Sequence, residues 1–229
     1  VEENNFGVRK RLLEYDDVMN KQRTVIYEKR RHALMGERLG MDIADMIWDR
    51  VCHIMESRDY QNCREQFLEI LAMEFPLSQD RYDNGNMDEL AEEVYQKAIE
   101  RFKQKCHIIS TNAHKAVAMI VENPDQMPRY ENIMVPVVDG RRVYQVSCNI
   151  QEAYESQSQA VVTAFHKSLI LHAIDDAWKE NLRLLDELKH SVHNASYEQK
   201  DPLLIYKLES VKYFDQMINK INDRIVSVL

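Results

Sequence analysis

Three groups of side chains have the types and spacing to do chemistry. Glu14, Asp16 and Asp17 form an acidic knot within a strongly basic stretch, where carboxylates could serve as a general base, as metal ligands, or as partners for an arginine elsewhere. The same knot reads equally well as a solvated face paired locally with Arg9, Lys10 or Lys21, since surface ion pairs are common and individually weak. His190 and His193 stand three residues apart and could share a metal, but beyond Glu187 the neighbouring sequence offers no convergent third ligand. Cys106 and His107 are adjacent and have the same deficiency.

Other chemistry is absent from the sequence. No GxxxxGK[ST] or GxGxxG run exists, and five scattered glycines cannot build a phosphate cradle, so this chain alone is not expected to bind or hydrolyse a nucleotide. No GxSxG, HExxH or paired CxxC occurs. Tyr197 stands out for a different reason. It is an aromatic in a polar link, and either folds back on its own helices or offers a large contact area to a passing chain or partner.

The elements that must position these groups are helical. Gly and Pro total 5 each in 229 residues, charged residues make up 30%, and there are 11 Met, a composition for long helices with solvated faces and a mostly α fold. A formal charge of −8 argues against a nucleic-acid binder. No apolar run reaches the roughly 18 residues that span a bilayer. Cys52, Cys63, Cys106 and Cys148 lie far apart, as reduced thiols of a cytoplasmic protein would. The opening Val-Glu-Glu-Asn-Asn carries no initiator Met or signal pattern and suggests a piece of something longer.

Residues 1–35 read as one long helix whose apolar positions, Phe6, Leu12, Leu13, Met19, Val25 and Ile26, spread over several faces. Residues 36–158 form a second, inserted helical region. Helices are expected at 41–55, at 64–75 ending at Pro76, and at about 89–122 capped by Asp88, with 79–86 as a loop. Its β signal lies at about 133–147, where Asp139-Gly140 favours a two-residue hairpin turn. Residues 159–229 contain two apolar stripes. One runs Trp178, Leu182, Leu185, Leu188, Val192; the other Leu204, Leu208, Val211, Phe214, Ile218, Ile221, Ile225, Val228. Joined by a polar link at 193–202 with Pro202 in the first turn of the second helix, they predict an antiparallel helical hairpin.

Two long motifs in this order resemble the SecA family, the bacterial preprotein translocase ATPases. The first is Val1-Glu-Glu-Asn-Asn-Phe-Gly-Val-Arg-Lys-Arg-Leu-Leu-Glu-Tyr-Asp-Asp-Val-Met-Asn-Lys-Gln-Arg with Ile26-Tyr27. The second is Asp175-Asp-Ala-Trp-Lys-Glu-Asn-Leu, then Tyr197-Glu-Gln-Lys-Asp-Pro202 and Tyr206-Lys-Leu-Glu-Ser210. The resemblance implies a long scaffold helix (1–35), a helical wing (36–158) carrying the β-hairpin, and a two-helix finger (159–229), without the motor domains.

It further implies that Arg9, Glu14, Asp16 and Asp17 make motor-coupling contacts, and that Tyr197, Gln199 and Lys200 at the fingertip meet the preprotein or the channel. The tip reads His-Asn-Ala-Ser-Tyr, where many members have the more basic Leu-Arg-Gly-Tyr. The implied partners are the SecYEG channel, preproteins, the protein's own motor domains and, indirectly, an anionic membrane surface, and a homodimer is allowed. The implied location is cytoplasmic and peripheral on the cytoplasmic face of the bacterial inner membrane. ATP and Mg would belong to the absent motor domains and Zn to an absent C-terminal tail, with no metal or cofactor in this chain. Two other readings are a free-standing helical adaptor binding through the 160–229 hairpin, and a metal-dependent helical enzyme using Glu14, Asp16, Asp17 and a histidine.

Overall fold

A computed structural model describes residues 2–36, 38–123, 131–138, 142–194 and 201–229; within these, the side chains of residues 2–8, 11, 193 and 194 are not described. Among the described residues the chain is mostly helical, with one two-stranded sheet. By packing it divides into two units, residues 1–35 with 171–221 and residues 36–170 with 222–229. The second unit thus takes in residues 159–170 and the last turns of the chain as well as the 36–158 region.

The first unit contains α1 (Glu2–Met35), the later part of α7 (Gln159–Asn194) and most of α8 (Pro202–Val228). Pro202 opens α8, where its missing N–H costs nothing, and the Asp201 carboxylate accepts from the Leu203 amide at 3.0 Å. The buried stripe on α7 includes Leu185, Leu188 and Val192 as the spacing predicts, while Trp178 and Leu182 are half-buried. On α8 the first turns are rotated from the expected face, while Ile221 and Ile225 of the expected stripe are buried. Tyr206, Ser210, Met217 and Ile221 are buried, whereas Leu204, Leu208 and Val211 are 56%, 58% and 57% exposed.

The second unit is built on α2 (Leu39–Met55), α3 (Tyr60–Ile70), α4 (Gln79–Asn84), α5 (Met87–Val121), α6 (Ile150–Glu155), β1 (Asn132–Val138) and β2 (Val143–Asn149). α2 packs on α5, with Trp48 and Tyr95 edge to face at 5.2 Å. Several boundaries differ from the sequence expectation, each for a local reason. α3 starts at Tyr60, not 64, because the Asp59 carboxylate caps it by accepting from the amides of Gln61 and Asn62. It ends well before Pro76, as Ala72 turns into the left-handed region at φ 49°. The expected loop at 79–86 contains the short helix α4, with Tyr82 buried. The cap of α5 is Asn86 rather than Asp88, whose amide donates to Asn86 Oδ1 at 3.0 Å. Gly85 between α4 and α5 is there for space: an added Cβ would stand 2.7 Å from the Arg81 carbonyl oxygen.

β1 and β2 pair antiparallel in the register Val135↔Val146, with Val138↔Val143 as the last pair toward the turn. That register joins the strands through residues 139–142, so a two-residue Asp139-Gly140 turn does not fit; residues 139–141 themselves lie outside the described residues. Val135, Val137, Val146 and Cys148 face inward, and Tyr144 meets Phe165 of α7 edge to face. A lone hairpin is marginal in water, and this one gains stability from its helical neighbours. Asp223, near the end of α8, holds the buried Arg50 of α2 at 2.9 Å.

Candidate functional site

The residues singled out for coupling fall on the first unit, which is a three-helix seam. α1 contributes Tyr15, packed edge to face on Tyr206 of α8 with ring centroids 4.8 Å apart. Leu185, Leu188 and Val192 of α7 close the cluster, flanked by Val18, Leu203, Ile205 and Tyr213. Aromatic pairs of this geometry add roughly 0.5–1.5 kcal/mol beyond the area they bury. Lys189 Nζ lies 5.6 Å from the Tyr15 ring centroid and 3.9 Å from Asp16 Oδ1, so one ammonium serves both a ring face and a carboxylate.

Further along α1, Arg30 forms a fork with Asp175 of α7, Nε at 2.9 Å from Oδ1 and Nη2 at 3.3 Å from Oδ2. Both groups are nearly half exposed, so the fork fixes geometry more than it adds stability. The remainder of α1 is open. Leu12, Leu13, Val25, Tyr27, Leu34 and Met35 are exposed, apolar area on a helix whose opposite side is already occupied.

The acidic knot is split by this arrangement. Asp16 is half-buried and paired across helices with Lys189, Glu14 is half-buried, and Asp17 and Arg9 are exposed. The knot's ion pair therefore reaches α7 and not Lys10, Lys21 or Arg9 on the same helix. Tyr197, Gln199 and Lys200 lie outside the described residues, as does the side chain of His193; His190 is exposed. Among the described residues no three of His, Cys, Asp and Glu converge as a metal would require.

Sequence reasoning missed one cluster. Gln22 of α1 donates through Nε2 to the Ser210 carbonyl of α8 at 2.9 Å, and its Oε1 accepts from Asn181 Nδ2 of α7 at 3.1 Å. A polar residue on a charged helix is assigned to the surface by default. The available signal was its place: Val18, Gln22 and Ile26 follow one another at i, i+4 on the inward side.

In the second unit Cys106 meets His166, not His107, with Sγ 3.6 Å from Nε2. They border an apolar cavity of about 160 Å³ lined also by Ile108, Ile109, Val137 and Phe165. Burial pushes the Cys106 thiol up to about 11 and the His166 imidazole down to about 4. At neutral pH both are uncharged, so the pair is neither a thiolate nucleophile nor an imidazolium acid. The sequence contains no GxxxxGK[ST] run. Among the described residues no helix is long and apolar enough to cross a membrane.

A family model described as the SecA wing and scaffold domain matches residues 1–229. The protein translocase subunit SecA of Bacteroides thetaiotaomicron is 60% identical over 229 residues, covering 100% of this chain and 20% of that protein. Its counterpart from Bacteroides fragilis is 58% identical over 230 residues, covering 100% and 21%, and one from Porphyromonas gingivalis is 47% identical over 234 residues, again 100% and 21%. The chain spans about a fifth of the length of the curated relatives it matches.

Proposed function

The chain belongs to the SecA wing and scaffold family, and on that premise we propose that it is the part of a protein translocase that carries movement from an ATP-driven motor to a finger acting on the preprotein. The observation that supports this most directly is the double character of α1. One side is tied to the hairpin by the Tyr15–Tyr206 contact and the Arg30–Asp175 fork, while Leu13, Tyr27 and Met35 remain exposed. A helix held on one side and open on the other can receive displacement from an outside body and pass it to both arms of the hairpin.

In this reading the outside body is the protein's own motor domains, which hold ATP and Mg. Arg9, Glu14, Asp16 and Asp17 are its coupling contacts, and the same seam restrains ATP turnover until a preprotein engages. Tyr197, Gln199 and Lys200 meet the preprotein at the mouth of the SecYEG channel. The protein works in the cytoplasm and on the cytoplasmic face of the inner membrane, where anionic lipid is an indirect partner and a second copy forms a homodimer. Zinc belongs to a tail beyond this chain. The chain itself supplies neither phosphate binding nor catalysis.

The test is preprotein import into inverted membrane vesicles by the full-length protein carrying Tyr197→Ala or Tyr197→Phe. Import lost with Ala and retained with Phe, at unchanged basal ATP turnover, supports a gripping aromatic. Normal import with Ala removes the fingertip role and leaves a scaffold that regulates the motor.

A further inference from the structure

Within the first unit, each helical segment carries one residue of the buried polar or charged class among the described residues: Gln22 on α1, Asn181 on α7 and Ser210 on α8. The three meet at one level. Gln22 is 7% exposed, Asn181 1% and Ser210 0%, and the Gln22 amide spans both arms of the hairpin by donating to one and accepting from the other. The Ser210 hydroxyl is turned back to the Lys207 carbonyl at 2.9 Å, so it is the backbone of α8 that Gln22 holds. Asn181 Oδ1 is buried without a hydrogen-bond partner, so Asn181 acts here only as a donor to Gln22.

On either side of this cluster the inward residues are aliphatic. On α1 the inward residues around Gln22 are Val18 and Ile26, one turn below and one turn above. On α7 the buried neighbours of Asn181 at the same spacing are Ala177 and Leu185. At the aliphatic positions beside Gln22, sliding α1 by one helical turn, about 5.4 Å, replaces one apolar contact with another. At residue 22 it does not: the amide would be buried against aliphatic carbon with both its hydrogen bonds lost, and Asn181 would lose its acceptor. An isolated buried polar group of this kind fixes register in coiled coils at some cost in stability.

We propose that Gln22 is a register pin, a positioning residue that locks α1 against both arms of the hairpin so that the three helices move as one body and not past one another. The inference rests on the reading of this unit as a transmission element and names the residue that prevents slip. Tyr15–Tyr206 supports the same register by packing further along the seam, while the nearly half-exposed Arg30–Asp175 fork adds little.

The experiment places spin labels, by a non-cysteine handle, at the exposed Lys10 of α1 and Lys220 of α8 in the full-length protein. Pulsed dipolar spectroscopy then compares the unsubstituted protein with Gln22→Met and with the double variant Gln22→Met, Asn181→Leu. The double variant removes both side-chain amides at the pin, and the Ser210 carbonyl lies within α8, where the helix supplies its partner, which keeps the seam folded. The expected result is a second distance population displaced by about 5 Å, one helical turn, in a protein that still melts cooperatively. The ratio of preprotein-stimulated to basal ATP turnover should fall about tenfold. A single distance population coinciding with that of the unsubstituted protein, in both variants, overturns the pin. So does a displaced population with fully retained stimulation, since slip would then be harmless to coupling. Failure of the Tyr197 experiment leaves this distance measurement standing, so the two ideas fall separately.

Discussion

Tyr15 on α1 and Tyr206 on α8 meet edge to face at 4.8 Å and 80°, joining residues 191 positions apart (206 − 15) at the centre of a buried cluster. Both rings are almost completely buried, and each carries a phenol oxygen in a largely apolar seam. Burial first, and then the negative charges of Asp186 and Asp16, push the Tyr206 phenol up to about 12.

The first prediction follows from that pair. Tyr206→Ala should lower stability by about 3–5 kcal/mol, the usual loss for a buried aromatic, and Tyr206→Phe should cost much less. The phenol is neutral in the fold and its pKa is raised above the unfolded value of about 10. Its contribution is therefore complete below pH 10 and is lost as pH climbs from about 10 to about 12. Denaturant melts between pH 8 and 11.5 should show stability falling faster in the unsubstituted protein than in Tyr206→Phe. Parallel pH curves would contradict the assignment.

The second prediction concerns the face of α8 that spacing alone assigns to the core. Leu204, Leu208 and Val211 are more than half exposed. Replacing any of them with Ser should change stability by no more than about 0.5 kcal/mol, even though each is a larger apolar residue than Ser210 on the buried face. Thermal melts of the three variants decide it; a loss of several degrees in any one would put the stripe back in the interior.

That contrast shows what could be read from the sequence and what could not. The long helices, their order, the β-hairpin and the antiparallel hairpin follow from few breakers, strong periodicity and a polar link ending in Pro202, whereas the short helix α4 does not. On α8, however, two apolar sets interleave: Leu204, Leu208, Val211 and Leu203, Tyr206, Met217. The buried set includes Ser210 and a tyrosine, so hydrophobicity favours the wrong one. Gln22 and Asn181 were hidden for the same reason, because an amide shows itself as core only when a partner across the seam is known. Asp59 was overlooked as a cap since it precedes the apolar residues of α3 by several positions, and a polar first turn resembles loop. His107 sits beside Cys106 in the chain, but helix geometry turns the two apart and brings His166 across from sixty residues away.

The third prediction belongs to His166. Its ring lies 5.4 Å from Phe102 and 3.6 Å from the Cys106 sulfur, in surroundings that offer a cation nothing, and burial lowers its pKa to about 4. An unfolded chain takes up the proton near pH 6.5, so folding holds the imidazole neutral against an increasing tendency to charge. The stability it confers is complete above about pH 6.5 and is lost as pH falls toward 4. A difference of that size corresponds to about 3 kcal/mol across the window. Urea melts at pH 7.5, 6, 5 and 4 should show the unsubstituted protein losing this amount beyond His166→Gln, whose side chain does not titrate. The gap between the two should narrow steadily with acid. Cys106, held as a thiol by the same burial, should react with iodoacetamide at pH 8 far more slowly than a free thiol. An unchanging gap between the two melts, together with fast alkylation at neutral pH, would place this pair in water rather than in the apolar interior.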